Sequence, residues 1–98
     1  MAAPKTAADA VHELEKVCAG ITDPDEMVSF FEEIFTPREL RDLDLRWRLL
    51  KELHEGQTQR NIALRYRISL CKITRGSRIL KKKNSTTKKI LDTIYGKR

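Results

Sequence analysis

Cysteine is scarce in this sequence: Cys18 and Cys71 are the only two among 98 residues. A structural zinc site needs about four ligands at close spacing, and a disulfide framework needs several paired cysteines. Neither arrangement fits two isolated thiols. We therefore expect both thiols to be reduced, as they are in a reducing compartment.

Long apolar runs are also missing. No segment approaches the roughly 20 apolar residues of a membrane-spanning helix, and residues 1–10 contain no apolar core of a secretory signal. We expect a cytoplasmic protein that does not enter a membrane.

Proline is confined to positions 4, 24 and 37, and no stretch sustains the alternation of apolar and polar residues typical of a strand. The sequence therefore predicts an all-α fold with about six helices. The longest begins at a capping-box pattern formed by Thr36 and Glu39 and ends near Gly56. Its apolar residues form two stripes about half a turn apart, which predicts burial on two sides, one of them at a subunit interface. The stripes are Leu40, Leu43, Trp47 and Leu50 on one side, and Leu45, Leu49 and Leu53 on the other.

Charge is distributed unevenly along the chain. Residues 1–45 carry four Lys or Arg against eleven acidic residues, whereas residues 46–98 carry sixteen against three. The first part thus has a net charge of −7 and the second +13, within an overall charge of +6. Such a basic half is expected of a protein that displaces counterions from nucleic-acid phosphates, although a solvated basic face explains the charge alone about as well.

The sequence offers no catalytic constellation. His12 and His54 are far apart and lack cysteine or acidic neighbours at metal-ligand spacing, and we expect both on the surface. Glu32 and Glu33 are adjacent, so their carboxylates diverge around a helix. No glycine-rich phosphate loop or nucleophile elbow is present. We therefore expect a protein that is not an enzyme.

The spacing of residues 59–76 fits a helix-turn-helix. Ala63 provides a small residue where two helices cross, Ile68 follows the turn, and Ile73 anchors the second helix. We expect this second helix from Ser69 to about Leu80 and predict that it enters the major groove of DNA. Hydrogen-bond donors are predicted on its exposed side, namely Lys72, Thr74, Arg75, Ser77 and Arg78.

Two residues of this segment are unusual for their positions. Arg67 stands in the turn where glycine is common, and a positive φ there would cost a non-glycine residue roughly 1 kcal/mol, unless the turn avoids it. Gly76 lies inside a helical pattern, which indicates a close approach by DNA backbone, a ligand or another helix.

Other interpretations fit parts of the same pattern. The segment can be a plain helical hairpin with a solvated basic face. The basic stretch from Lys81 to Lys89 can also belong to a helical adaptor that binds RNA or acidic protein.

The sequence resembles the tryptophan repressor family over about residues 30–91. The run Ile73-Thr74-Arg75-Gly76-Ser77-x-x-Leu80-Lys81, with the preceding Gln59-Arg60, is a fairly specific signature of that family. Further similar features are Thr36-Pro37-x-Glu39, Arg46 and Leu53-x-x-Gly56.

This resemblance implies an all-helical, intertwined homodimer with one domain over residues 1–98. Residues 1–57 would form dimerisation core helices, residues 58–80 the helix-turn-helix reading head, and residues 85–96 a C-terminal dimerisation helix. The implied function is transcriptional repression through a palindromic operator in double-stranded DNA, with L-tryptophan as co-repressor and no other cofactor.

The resemblance also implies a ligand site. Arg46 and Arg75 match two arginines that sandwich the indole ring, and Arg75 with Thr36 would face the ligand carboxylate. Gly76 and Ile79 would border the same pocket. The chemistry is sensible, because a planar guanidinium stacks on an aromatic face and pairs bidentately with a carboxylate.

The implied DNA contacts combine phosphate binding, which fixes register, with reading of base edges. The matching positions are Gln59, Arg60, Lys72, Thr74, Arg75, Ser77 and Lys81. Plainer roles remain open for two arginines. Arg46 can form an ion pair with Asp42 one turn earlier, and Arg75 can be a phosphate contact alone.

The sequence departs from the family pattern at several positions. Ile79 replaces a serine that helps to hold the ligand amine, Lys72 replaces a threonine on the reading helix, the turn lacks its glycine, and the loop after Gly56 is one residue shorter. Losing one neutral hydrogen bond weakens a ligand by about 0.5–1.5 kcal/mol. Ile79 is therefore compatible with L-tryptophan, with a less polar indole derivative, or with a regulator that needs no ligand.

Overall fold

The structure is a computed structural model that describes residues 7–97, with side chains from residue 9 onward. The described residues form six helices and no strand, so the all-α prediction is confirmed. The helices are α1 (Ala7–Gly20), α2 (Pro24–Ile34), α3 (Pro37–His54), α4 (Gln59–Tyr66), α5 (Leu70–Lys81) and α6 (Thr86–Tyr95). Within the described part, no helix is both long and apolar enough to cross a membrane. Residues 1–6, most of the N-terminal segment that is expected to lack a secretory signal, lie outside the described residues.

Side-chain caps define where the helices begin. Thr36 and Glu39 form the predicted capping box: the Thr36 amide donates to Glu39 Oε1 at 2.9 Å, and the Glu39 amide donates to Thr36 Oγ1 at 3.1 Å. Thr58 and Ser85 accept amide hydrogen bonds at the starts of α4 and α6. Ser69 holds the N-cap position of α5 but makes no side-chain cap hydrogen bond. The N-cap positions are thus readable from sequence, whereas the hydrogen bond at Ser69 is not formed.

The chain divides into two compact units between Leu40 and Arg41, a boundary that falls within α3. In the first unit, Phe31 and Phe35 meet edge to face with their ring centres 5.1 Å apart. None of residues 9–40 is buried. The apolar side chains of residues 9–40 therefore form no buried core within the single chain.

The second unit has a small core built from three helices. Leu49 of α3, Ile62 of α4 and Ile73 of α5 are buried against one another, and the latter two are completely inaccessible to solvent. Half-buried apolar residues surround them, namely Leu45, Leu53, Ala63, Tyr66 and Ile68. α5 packs against both α4 and α6. This core fixes the position of α5, the helix predicted to read DNA.

The two predicted apolar stripes of α3 differ in burial. The stripe of Leu45, Leu49 and Leu53 packs into the core of the second unit, as expected. On the other stripe Leu50 is buried, but Leu43 and Trp47 remain 37% and 38% exposed. One side of α3 is therefore covered within the chain, and the other is covered only in part.

Arg67 ends α4 in a left-handed conformation, with φ 53° and ψ 47°. The sequence left open whether this turn takes a positive φ or avoids it, and the structure shows the positive φ. Replacing Arg67 with glycine is expected to stabilise the protein by up to about 1 kcal/mol, because glycine adopts this conformation without a steric penalty.

Equilibrium unfolding in urea measures this change. Asn84→Gly is the matched control: Asn84 also has a positive φ of 58°, but asparagine tolerates it better, so we expect a smaller gain. Loss of stability in Arg67→Gly would contradict the assignment of strain to this turn.

Candidate nucleic-acid interface

α4 and α5 form the helix-turn-helix that the spacing predicts. The Thr58 hydroxyl accepts a hydrogen bond from the Asn61 amide at the start of α4, and the strained turn at Arg67 leads into α5. A further hydrogen bond joins the two helices, because Thr74 Oγ1 donates to Gln59 Oε1 at 3.0 Å. The side-chain NH₂ group of Gln59 makes no hydrogen bond to another described residue, so it remains available as a donor.

α5 presents a row of cations to solvent. Its exposed basic residues follow at intervals of three, so each lies near the next and the row winds about half a turn around the helix from the first to the last: Lys72, Arg75, Arg78 and Lys81. Among the described residues, no side-chain hydrogen bond or ion pair is made by any of the four cationic groups. These charges are free to bind an anionic partner.

Two residues predicted to be exposed on α5 are not. Ser77 is only 8% exposed, and Thr74 is half-buried with its hydroxyl bonded to Gln59. The expectation was wrong for Ser77 because it follows the buried Ile73 by four residues and therefore falls on the same helix face. Arg78 shares the exposed face with Lys72 and Arg75.

A narrow cleft of about 60 Å³ lies between α3 and α5. It brings together four of the predicted ligand-site residues, Arg46, Arg75, Gly76 and Ile79, and it is completed by Leu49, Leu50 and Lys72. Thr36, the fifth predicted residue, belongs to the first unit. There its hydroxyl oxygen accepts the hydrogen bond from Glu39.

Gly76 allows α5 to approach α3 closely. A Cβ atom at this position would lie 3.1 Å from Leu53 Cδ1 and 3.7 Å from Leu50 Cδ2. The first distance is shorter than an ordinary van der Waals contact. Of the three causes considered for this glycine, the close approach of another helix is therefore present in the chain itself.

Arg46 is exposed at the rim of this cleft. Among the described residues no ion pair joins it to Asp42, so the plainer role considered for Arg46 is not seen. Its guanidinium is available to a ligand.

His54 contradicts the expectation of a surface position. It is 6% exposed, and its Nε2 lies 2.8 Å from Asp92 Oδ1. Lys88 Nζ lies 3.0 Å from the other carboxylate oxygen of Asp92. The hydrogen bond to His54 and the contact with Lys88 lower the pKa of Asp92 below its ordinary range. His54 and Asp92 are 38 residues apart in sequence, so no local pattern could have revealed this contact.

A second, wider cleft of about 450 Å³ adjoins this cluster. Seven of the nine residues that line it are polar or charged, and the other two are leucines: Leu53, His54, Gln57, Thr58, Gln59, Ser77, Leu80, Lys81 and Lys88. Gln59, Ser77 and Lys81 are predicted DNA contacts, whereas His54 and Lys88 were not predicted as site residues. Within residues 7–97, no group of three His, Cys, Asp or Glu side chains is arranged to hold a metal ion.

One comparison with known proteins gives a match that covers most of the chain. A family model described as Trp repressor protein matches residues 9–94, and thus all six helices in large part. Comparisons with curated proteins and with solved structures gave no significant match. The matched range includes the helix-turn-helix, the cation row of α5 and both clefts. The chain belongs to the Trp repressor family of helical, DNA-binding transcription regulators.

Proposed function

We propose that this protein is a sequence-specific transcriptional repressor that binds a palindromic DNA operator as a homodimer. L-tryptophan or a related indole is the proposed co-repressor, and the cytoplasm is the proposed location. In this assignment residues 58–80 are the reading head, and residues 1–57 with residues 85–96 form the dimerisation part.

The row of unpaired cations on α5 is the observation that carries the proposal. Lysine and arginine without intramolecular partners release the counterions of DNA phosphates, which supplies the sequence-independent part of the affinity. Lys72 and Arg75 stand on the first two turns of α5, the part of a reading helix that contacts base edges. The hydrogen bond between Thr74 and Gln59 holds α4 and α5 in one orientation, so that phosphate contacts from α4 fix the register of α5.

Homodimer formation is supported by the apolar side chains that the single chain leaves uncovered. A chain of 98 residues buries a limited share of its surface, and a second copy supplies the missing core. The first unit has no buried residue among residues 9–40, and α3 and α6 each keep an uncovered apolar face. The exposed residues are Val11, Val17, Val28, Ile34, Leu43, Trp47, Ile90, Ile94 and Tyr95.

The narrow cleft supports the co-repressor assignment. Arg46 and Arg75 line it together, as two guanidinium groups that stack on an indole ring must do. At about 60 Å³ the cleft is small for such a ligand, so binding requires the exposed side chains of Lys72 and Arg75 to move outward. Ile79 makes the wall more apolar, which suits the ring more than the amine. A ligand that fits only when the cleft is widened favours those orientations of the reading head in which the cleft is wide, and so shifts their population.

Selection from a random pool of DNA duplexes tests the proposed function. We expect a palindromic consensus whose half-sites lie about one helical turn, or about 34 Å, apart, because two related reading heads contact successive major grooves. The selection is run with and without L-tryptophan at near-physiological salt. RNA of the same pool is the control. Tighter binding to RNA, or the absence of any consensus, would contradict the proposal and favour the basic adaptor.

A further inference from the structure

The wider cleft is lined by cations from two different helices. Lys81 comes from the last turn of α5 and Lys88 from the first part of α6. Its remaining polar wall includes Thr58 and Gln59, which begin α4, and the buried Ser77. No acidic side chain lies among the described residues that line it. The charge of this wall therefore favours an anion.

The start of α4 strengthens this preference. The first amides of a helix have no acceptor within their own helix, and the helix dipole adds a partial positive charge at the same end. The Thr58 hydroxyl satisfies the Asn61 amide, which leaves the amides nearer the helix start for an external acceptor. Helix starts of this kind bind phosphate when cations stand beside them.

Lys88 is held in place from behind the cleft. Its Nζ contacts Asp92 Oδ2 at 3.0 Å, and Asp92 is bonded in turn to His54, whose side chain is 3% exposed. Asp92 itself does not line the cleft. An ammonium group has three donors, so Lys88 keeps two after its contact with Asp92. The Nδ1 atom of His54 is buried without a hydrogen-bond partner. The hydrogen bond between Nε2 and Asp92 is therefore the one that the ring makes to the rest of the protein.

We propose that this cleft binds a backbone phosphate of duplex DNA, contacted by Lys81 and Lys88, with Asp92 and His54 as positioning residues for Lys88. The inference rests on the proposed function, because DNA is its ligand. It gives α6, which lies outside the helix-turn-helix, a direct part in DNA binding. DNA is favoured over a small anion because Gln59 and Lys81 belong both to the cleft and to the proposed DNA surface.

Replacing Lys88 with glutamine tests the contact, with Lys89→Gln as the matched control. Both residues lie on α6 and both changes remove one charge, but Lys89 lines a different surface with Ile90 and Ile94. Affinity for a mixed-sequence duplex is measured by fluorescence anisotropy from low to high salt. For each lost phosphate contact the slope of log K against log salt falls by about 0.9, hence by about 1.8 for a homodimer.

We expect this change for Lys88→Gln and for Arg60→Gln, the positive control, and little change for Lys89→Gln. Equal changes in slope for Lys88→Gln and Lys89→Gln would overturn the proposal. The electrostatic field of the basic half, without a direct phosphate contact, would then explain both changes. An unchanged slope for Lys88→Gln would overturn it as well. In either case a palindromic consensus for the unaltered protein would leave the proposed function standing. Circular dichroism at the working temperature establishes that each variant is folded.

The Asp92→Asn variant distinguishes two effects on DNA binding: the positioning of Lys88 by Asp92, and the total charge of the protein. This change removes one negative charge, so the electrostatic field of the basic half alone predicts tighter DNA binding. Positioning predicts weaker binding and a slope close to that of Lys88→Gln, with no further loss in the double variant. Tighter binding would overturn the positioning role. Titration with inorganic phosphate is the last arm: phosphate binding that Lys88→Gln abolishes, with DNA affinity unchanged, would assign the cleft to a free anion and overturn the DNA contact.

Discussion

Replacing Ile73 with alanine is expected to destabilise the protein by about 2–5 kcal/mol, because the change leaves a cavity in a core that has little else. Ile73 is completely buried and packs against Leu49 and Ile62. Small domains are stable by only about 5–15 kcal/mol in total, so this single change removes a large share. Since Ile73 fixes α5 against α3 and α4, DNA binding is expected to be lost together with stability.

Urea unfolding at fixed protein concentration measures the effect, because the stability of the proposed homodimer would depend on concentration. Leu64→Ala is the matched control: Leu64 lies on α4 and is 74% exposed, so we expect a change within about 0.5 kcal/mol. Equal effects of the two substitutions would contradict the assignment of the core. So would a loss below about 1 kcal/mol in Ile73→Ala.

The core of the reading head could be predicted because its signals are local. Ala63, Ile68 and Ile73 stand at intervals that the helix-turn-helix requires, and all three pack in or against the buried cluster. Capping residues are local in the same sense, as Thr36 and Glu39 show. Periodicity and capping each depend on residues three or four apart, a distance over which sequence and geometry are directly linked.

Two expectations were wrong because neither residue type nor the neighbours in sequence fix which side of a helix is buried. Ser77 was expected at the surface because serine is polar, yet its helix position is set by Ile73 four residues earlier. His54 was expected at the surface because no partner stands near it in sequence, and its partner Asp92 is 38 residues away. Contacts of this length depend on how α3 and α6 pack, and no local pattern encodes that packing.

The narrow cleft was predicted by resemblance and not by pattern. Nothing in the spacing of Arg46 and Arg75 along the chain indicates that they meet, and the structure brings both to one cleft with Gly76. Lys88 had no such guide, since no family position was assigned to it. Its place beside Lys81 became evident only from the packing of α6 against α5.

For L-tryptophan as the proposed co-repressor, replacing Arg75 with lysine is expected to lower the affinity by about 10- to 150-fold. Lysine keeps the charge but loses both the planar stacking surface and the bidentate contact with a carboxylate, and a hydrogen bond to a charged group contributes about 1.5–3 kcal/mol. The salt dependence of DNA binding should stay the same, because the number of positive charges on α5 does not change. The Arg75→Lys variant therefore distinguishes a ligand-binding role of Arg75 from a phosphate-binding role.

Calorimetry with L-tryptophan measures the loss, and Arg78→Lys is the control for Arg75→Lys, since Arg78 lies on the same helix without lining the cleft. Retained ligand affinity in Arg75→Lys would leave Arg75 as a phosphate contact only. Absence of heat from the unaltered protein at millimolar L-tryptophan would exclude this co-repressor, and the titration would be repeated with indole derivatives that lack the amine. Heat from such a derivative alone would be the result that Ile79 favours, because its side chain offers no hydrogen bond to an amine.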